Sequence, residues 1–216
     1  MLITQQNFPL QKNIIHIKTN KLKKKLSFPI PGKHFQENLQ LLNALRKTFS
    51  LPFSSFLKSL KNYKGIKRRF EIIKKEENLV FIDDYAHHPT EVFSFYKSLR
   101  EKFPHFKKII VFQPHTYTRT HFLFYEFLKV FKNIKRDKRV ELIIFKVFPS
   151  AREKDFIEKI KNLKTDKDLA KKLKLNYFEN FEDLTFYLKS KINLERKLLI
   201  ASVGAGDVYK IFENLI

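Results

Sequence analysis

From residue 70 onward, short unbroken apolar runs alternate with longer segments whose apolar residues recur at helical spacing, and few folds satisfy that rhythm. LVFID (79–83), KKIIVFQP (107–114), RVELIIFKVF (139–148) and KLLIASVG (197–204) read as strands, with a weaker one at LNYF (175–178). PTEVFSFYKSLREKF (89–103), THFLFYEFLKVFKN (120–133), the stretch from Glu153 to Lys174, and FEDLTFYLKSK (181–191) read as helices. DVYKIFENLI (207–216) reads as a terminal helix. Pro89 is expected in the first turn of its helix, where its missing N–H costs nothing. Strands without polar alternation are buried on both faces. The pattern therefore predicts an α/β fold, a Rossmann-like, mainly parallel sheet with helices on both faces. Ligands in such sheets bind beyond the carboxyl ends of the strands.

The first third of the chain is different. Short strands are expected at roughly 2–8, 13–18 and 24–29, and PGK (31–33) as a turn. HFQENLQLLNALRKTF (34–49) places Phe35, Leu39, Leu42, Leu45 and Phe49 at helical spacing. SSFLKSLKNY (54–63) follows Pro52 with Ser54 as its expected N-cap, and Gly65 ends it. We therefore expect a small α+β unit over 1–66 and the main domain over 67–216.

With 216 residues, 43 % of them hydrophobic, the chain can bury one good core. It has no cysteine, which excludes disulfides and thiolate–zinc sites. No apolar run approaches the roughly 18 residues of a membrane span, and MLITQQNFPLQKN lacks the apolar centre of a signal peptide, so a soluble, cytoplasmic protein is expected with no membrane partner. The net charge of +22 is carried by lysines spread along the whole chain. That distribution describes a solvated surface better than a groove for nucleic acid, which is not the expected partner.

Three of the strand ends carry polar or glycine-rich clusters: DDYAHHPTE (83–91), HTYTRT (115–120) and GAGD (204–207). Adjacent Asp83 and Asp84 point to opposite sides of a strand, so they share neither a proton nor a metal. One can satisfy backbone N–H groups while the other accepts from a ligand hydroxyl such as a ribose diol, and turn capping serves either as well. His87 and His88 lack the spacing of a zinc pair, and no metal is expected on them. They suit hydrogen bonds to carboxylate or phosphate oxygens, or packing around Pro89. His115 and Arg119, entering a helix opened by Thr118 or Thr120, combine an imidazole and a guanidinium fork suited to a carboxylate. Local satisfaction of His115 and solvation of Arg119 explain the pattern equally on physical grounds. Glycine occurs only at 32, 65, 204 and 206, so no G-x-x-x-x-G-K-[ST] phosphate loop can be written and GAGD is a tight strand–helix turn.

DDYAHHPTE followed by FQPHTYTRT (112–120) resembles the Mur ligases of peptidoglycan synthesis, and in particular their alanine-adding branch, which reads DDYAHHPTE and FQPHRYTRT. PGKH…N (31–38), KGIKRRFE (64–71) and VGAGD (203–207) follow in family order, so the resemblance covers nearly the whole chain. It implies an ATP-dependent, amide-forming ligase with ATP and magnesium as cofactors and UDP-N-acetylmuramate and L-alanine as substrates of the complete enzyme. In that family a substrate carboxylate takes the γ-phosphate of ATP, and the amino acid's amine attacks the resulting acyl phosphate. The P-loop and magnesium ligands belong to the family's central domain. Residues 1–66 are expected to be a remnant of that ATPase domain, the UDP-sugar domain is expected to be absent, and a separate chain carrying those parts is the expected partner. Alone, the chain is expected to form no amide bond.

The resemblance also implies roles for individual residues. Asp84 falls at the nucleotide ribose, Arg69 near the nucleotide at the domain hinge, and Asn38 near the adenine. Tyr85, His87 and His88 line a substrate-facing turn, and His115 and Arg119 hold the carboxylate of alanine. Two positions depart from the family pattern: Phe35 stands where Asn is usual, and Thr116 where Arg is usual. On the residues alone, a non-catalytic nucleotide- or amino-acid-binding module and a basic nucleic-acid binder stay open as alternatives.

Overall fold

The computed structural model describes residues 2–7, 11–16, 33–63 and 65–216. Two compact units, Met1–Gly65 and Ile66–Ile216, make up the chain. In the first, strands β1 (Leu2–Asn7) and β2 (Gln11–His16) pair antiparallel, and helices α1 (Lys33–Thr48) and α2 (Phe53–Asn62) follow. The expected strand at 24–29, the first two residues of the PGK turn and the side chain of Phe35 lie outside the described residues. Helix α1 buries Leu39, Asn43 and Ala44 and leaves Leu42 exposed, as is Phe49 in the turn after it. Ser54 does not cap α2. Pro52 takes the N-cap position with no side-chain hydrogen bond, and its φ of −59° is already that of a helix entry, so the helix begins before Ser54.

The second unit holds β3 (Glu71–Lys75), β4 (Leu79–Asp84), α3 (Pro89–Lys102), β5 (Lys107–Phe112), α4 (Tyr117–Phe122) and α5 (Phe124–Lys135). It continues through β6 (Val140–Phe145), α6 (Lys154–Ile157), α7 (Asp166–Leu173), β7 (Asn176–Phe178), α8 (Phe181–Leu194) and β8 (Leu198–Val203). Its six strands lie in the order β3-β4-β8-β5-β6-β7. All pairs are parallel except β3 with β4. The last strand in the chain thus lies inside the sheet, and all six of its residues are buried.

Alternation along the strands assigns the two faces. Phe81, Ile109, Val111, Ile143, Phe145, Leu198 and Ile200 pack with Leu184 and Leu188 of α8 and with Val208, Ile211 and Phe212 of the C-terminal turn. The neighbouring positions face α3, α5 and α7; Phe112, for example, lies 5.2 Å from Phe127 and 5.1 Å from Phe131 between ring centroids. Helices therefore cover both faces, as the unbroken apolar strands require.

Several local expectations fail for visible reasons. EIIKK forms an antiparallel edge strand that the strand–helix rhythm did not reveal; Ile72 and Ile73 are both partly exposed and a register shift falls between Ile72 and Lys74. The helix expected over 120–133 is two helices broken at Leu123. The helical pattern over 153–174 resolves into a 3₁₀ turn (Ala151–Glu153), the single turn α6, and α7, because Thr165 caps α7 through the N–H of Asp168 and restarts the chain there. The C-terminal segment is a 3₁₀ helix over Val208–Asn214 rather than an α-helix.

The turn after β8 locks it to β5. Gln113 is buried; its side-chain oxygen accepts from Val208 N–H and its amide donates to Asp207 and to the Lys146 carbonyl. Gly204 has φ of +150°, and a Cβ there would lie 2.6 Å from the Gln113 carbonyl oxygen. Gly204→Ala should lower the stability of the second unit by about 1–3 kcal/mol. A urea midpoint equal to that of the wild type would contradict this close approach.

Candidate functional site

Parallel pairing brings the carboxyl ends of β4, β8 and β5 side by side, with Asp83 opposite Ser202 and Ser202 opposite Val111. Cross-strand neighbours share a face, so Ser202 Oγ donates to Asp83 Oδ1 at 2.6 Å. The other Asp83 oxygen accepts from Arg68 Nε at 2.9 Å, and the Arg68 guanidinium also donates to the Gly204 carbonyl at 2.7 Å. The Arg68 cation lies 5.0 Å from the Tyr85 ring centroid and 4.5 Å from that of Tyr209. Asp84 turns to the opposite face and accepts from the backbone N–H groups of Phe70 and Ala86, each at 2.8 Å.

Both aspartates therefore act on the segment Arg68–Phe70. Arg68 and Phe70 have φ of +59° and +50°, a left-handed conformation that costs non-glycine residues free energy. Arg69 lies between them, half-buried, with its guanidinium 5.4 Å from the Tyr85 ring centroid. Each Asp84 oxygen keeps acceptor capacity beyond its backbone bond, although the residue is only 7 % exposed. Asn38, on α1 of the first unit, is exposed.

Tyr85, His87, His115 and Arg119 come together at this edge. His87 meets the Tyr85 ring edge-on at 5.4 Å and the His115 ring at 6.0 Å. Glu91 accepts from the backbone N–H groups of His87 and His88, which fixes the turn before α3. His88 is drawn away from the cluster: it is the N-cap of α3, with Nδ1 against the Thr90 hydroxyl at 2.9 Å. His115 stacks on Phe148, with ring centroids 5.8 Å apart and planes 10° from parallel, and Arg119 approaches its Nδ1 at 3.3 Å. Burial, reinforced by the Arg119 and His87 charges, holds the His115 imidazole below its usual pKa.

Three features went unread in the sequence. Arg68, not Arg69, is the arginine bonded into the scaffold. Thr116, rather than Thr118 or Thr120, caps α4, accepting from Arg119 N–H with φ of +73°, which is unusual for a β-branched residue. Glu153 is buried and accepts from the N–H groups of Tyr117, Thr118 and Ser150, so the first turn of α4 already holds a carboxylate belonging to the chain. Burial would raise the Glu153 pKa, but these hydrogen bonds outweigh it and hold it low. The capping-box spacing in SARE (150–153) was the available signal for Glu153. Beside the cluster, a cleft of about 420 Å³ opens between Tyr117, Lys146, Asp166, Lys167 and Tyr177.

The family model for the Mur ligase, glutamate ligase domain, matches residues 68–204, which contain Arg68, Asp83, Asp84, Tyr85, His87, His115 and Arg119. The chain belongs to the Mur ligase family. Among curated relatives of this Mur ligase domain, a UDP-N-acetylmuramate–L-alanine ligase of Clostridium acetobutylicum is 39 % identical over 202 residues, 92 % of this chain and 42 % of that protein. One from Clostridium kluyveri is 36 % identical over 193 residues, 87 % of this chain and 39 % of its own. The chain thus spans about two fifths of the length of these relatives. The crystal structure of UDP-N-acetylmuramate–alanine ligase from Thermotoga maritima superimposes with a TM-score of 0.63 at 24 % identity, covering 87 % of this chain and 38 % of that one. The likeness shows a shared Mur ligase fold.

Asp84 supplies a pH test. Burial pushes its carboxyl up from the ordinary 3.8 to about 6, against the opposing pull of the Phe70 and Ala86 N–H groups and the Arg69 charge. The folded state therefore binds this proton more tightly. The stabilisation is complete below about pH 4 and is lost as pH rises through about 6, a swing of about 3 kcal/mol. Denaturation of the wild type and Asp84→Asn at pH 4 and pH 7 should show the wild type gaining relative to the variant at the lower pH. A difference independent of pH would contradict the buried setting of Asp84.

Proposed function

We propose that this chain is the C-terminal portion of an ATP-dependent UDP-N-acetylmuramate–L-alanine ligase of peptidoglycan synthesis, acting in the cytoplasm. Residues 67–216 are its C-terminal domain and residues 1–66 the end of its central ATPase domain. The observation that carries the reading is the convergence of Tyr85, His87, His115 and Arg119, all half-buried, beyond adjacent parallel strands. Such a group presents an imidazole N–H and a guanidinium to a carboxylate without reorganisation on binding. With Thr116 in place of an arginine, the carboxylate is held by His115 and Arg119 alone, and His88 serves by fixing the turn.

ATP supplies the phosphoryl group that activates the acid substrate. The residues present fit one side of it. The half-buried Arg69 fork, which lies over the Tyr85 ring, suits phosphate, and Asp84 keeps acceptor capacity for a ribose hydroxyl. Asn38 is the residue assigned to the adenine. On this reading magnesium and the P-loop lysine belong to the remainder of the enzyme, on the same polypeptide or a separate one. No helix among the described residues is long and apolar enough to cross a membrane.

The test is a chimera in which residues 66–216 replace the matching domain of the Clostridium acetobutylicum ligase. It should release ADP only when UDP-N-acetylmuramate and L-alanine are both present, and Arg119→Ala should lower kcat/KM for L-alanine by about 10²-fold. Amide formation by the isolated 216-residue chain, or a folded chimera indifferent to L-alanine, would overturn the reading.

A further inference from the structure

The cleft beside α4 has a chemistry of its own. It opens beyond β6 and β7, since Lys146 follows the last residue of β6 and Glu179 the last of β7. Carboxyl ends of parallel strands are where such sheets take ligands. The volume of about 420 Å³ falls within the usual range of small-molecule sites, roughly 300–1,000 Å³.

Asp166, the first residue of α7, lines the cleft although it is only 3 % exposed. Its Oδ2 accepts from the Val147 N–H and from the Tyr177 hydroxyl, each at 2.8 Å. Its Oδ1 accepts from no described residue. Among those residues no buried side-chain polar atom lacks a partner, so Oδ1 is open to the cleft. The Tyr177 proton is spent on Asp166, and burial together with that carboxylate raises the pKa of the phenol. Tyr177 therefore offers the cleft only oxygen lone pairs. Tyr117, the first residue of α4, is half-buried, and its hydroxyl bonds to no described residue. Burial and then the Asp166 charge raise its pKa too, which keeps its proton for a ligand. Lys146, exposed and in no ion pair with a described residue, adds further donors, while Lys167 is paired with Glu179.

These groups select against charged ligands. An anion would meet Asp166 Oδ1 and the Tyr177 lone pairs. A cation would meet Lys146 and Lys167 on a chain of net charge +22. The charges of Lys146, Lys167, Asp166 and Glu179 cancel. A neutral ligand that both donates and accepts fits this balance, with an apolar face for the tyrosine rings, Val147 and Pro149. We propose that the cleft binds a neutral, hydroxyl-rich ring of monosaccharide size. Its hydroxyls donate to Asp166 Oδ1 and Tyr177 Oη and accept from Tyr117 Oη and Lys146 Nζ. The inference does not depend on the reading of the His115–Arg119 edge.

The chain has eight tyrosines and no tryptophan, so ¹³C labelling at tyrosine Cζ gives a spectrum that Tyr117→Phe and Tyr177→Phe can assign. Methyl α-D-glucopyranoside, titrated into the full chain, should shift the Tyr117 and Tyr177 signals saturably with a roughly millimolar Kd. The other tyrosines should not move. Asp166→Asn should weaken the affinity about tenfold, and Lys146→Ala, which removes an exposed side chain, about threefold. The remaining tyrosine signals report whether each variant is folded, and Lys146→Ala decides where Asp166→Asn is not. No saturable shift at concentrations that fill a millimolar site would overturn the inference. So would a response to methylammonium or acetate in place of the glucoside, or a saturable shift that Lys146→Ala leaves at full affinity.

Discussion

Asp83 and Asp84 leave the end of β4 on opposite faces, and both reach back to the three residues Arg68–Phe70. Asp83 holds the Arg68 side chain, and Asp84 holds the Phe70 N–H. Two of these three residues are in a left-handed conformation that a free chain would leave. The carboxylates, the Tyr85 N–H on the Arg68 carbonyl and the Glu71 carboxylate on the Arg68 N–H together over-determine the turn. What the strain secures is the position of Arg69, whose backbone N–H donates to the Ile66 carbonyl and whose guanidinium lies over Tyr85. Tyr85, against which both arginines lie, is fixed by the same arrangement.

The rest of the edge depends on β8 entering between β4 and β5. Ser202 completes the Asp83 acceptors, the Gly204 carbonyl completes the Arg68 donors, and the glycine turn admits Gln113. Charged groups in low-dielectric surroundings are costly unless each partner is in place, and here each comes from a different segment. The site is therefore a consequence of the strand order as much as of its motifs. Tyr85, His87, His115 and Arg119 are left half-buried, and among the described residues every buried side-chain polar atom has a partner.

Much of the fold was legible in the sequence, because unbroken apolar runs such as KKIIVF and LLIASV have few solutions other than strands buried on both faces. The antiparallel edge strand was hidden, since EIIKK has neither alternation nor a continuous apolar run, and pairing with β4 decides it. The breaks at Leu123 and before Thr165 were hidden for a related reason: helical periodicity continues through them, and local caps end the helices. At the site, the grouping of the clusters at one edge followed from where the strands end. Which of two adjacent like residues does the work did not follow. Arg68 against Arg69 and His87 against His88 are separated by backbone conformation and capping, which sequence spacing does not encode.

The claim that the edge is assembled around the Arg68–Asp83 pair is tested most directly by a double-mutant cycle. Arg68→Ala, Asp83→Ala and the double variant would be compared with the wild type by urea denaturation. The account predicts a coupling of about 1–3 kcal/mol between the two sites, because either single change leaves the other charge without its buried partner. Effects that add to within about 0.5 kcal/mol would show that the pair does not organise the edge.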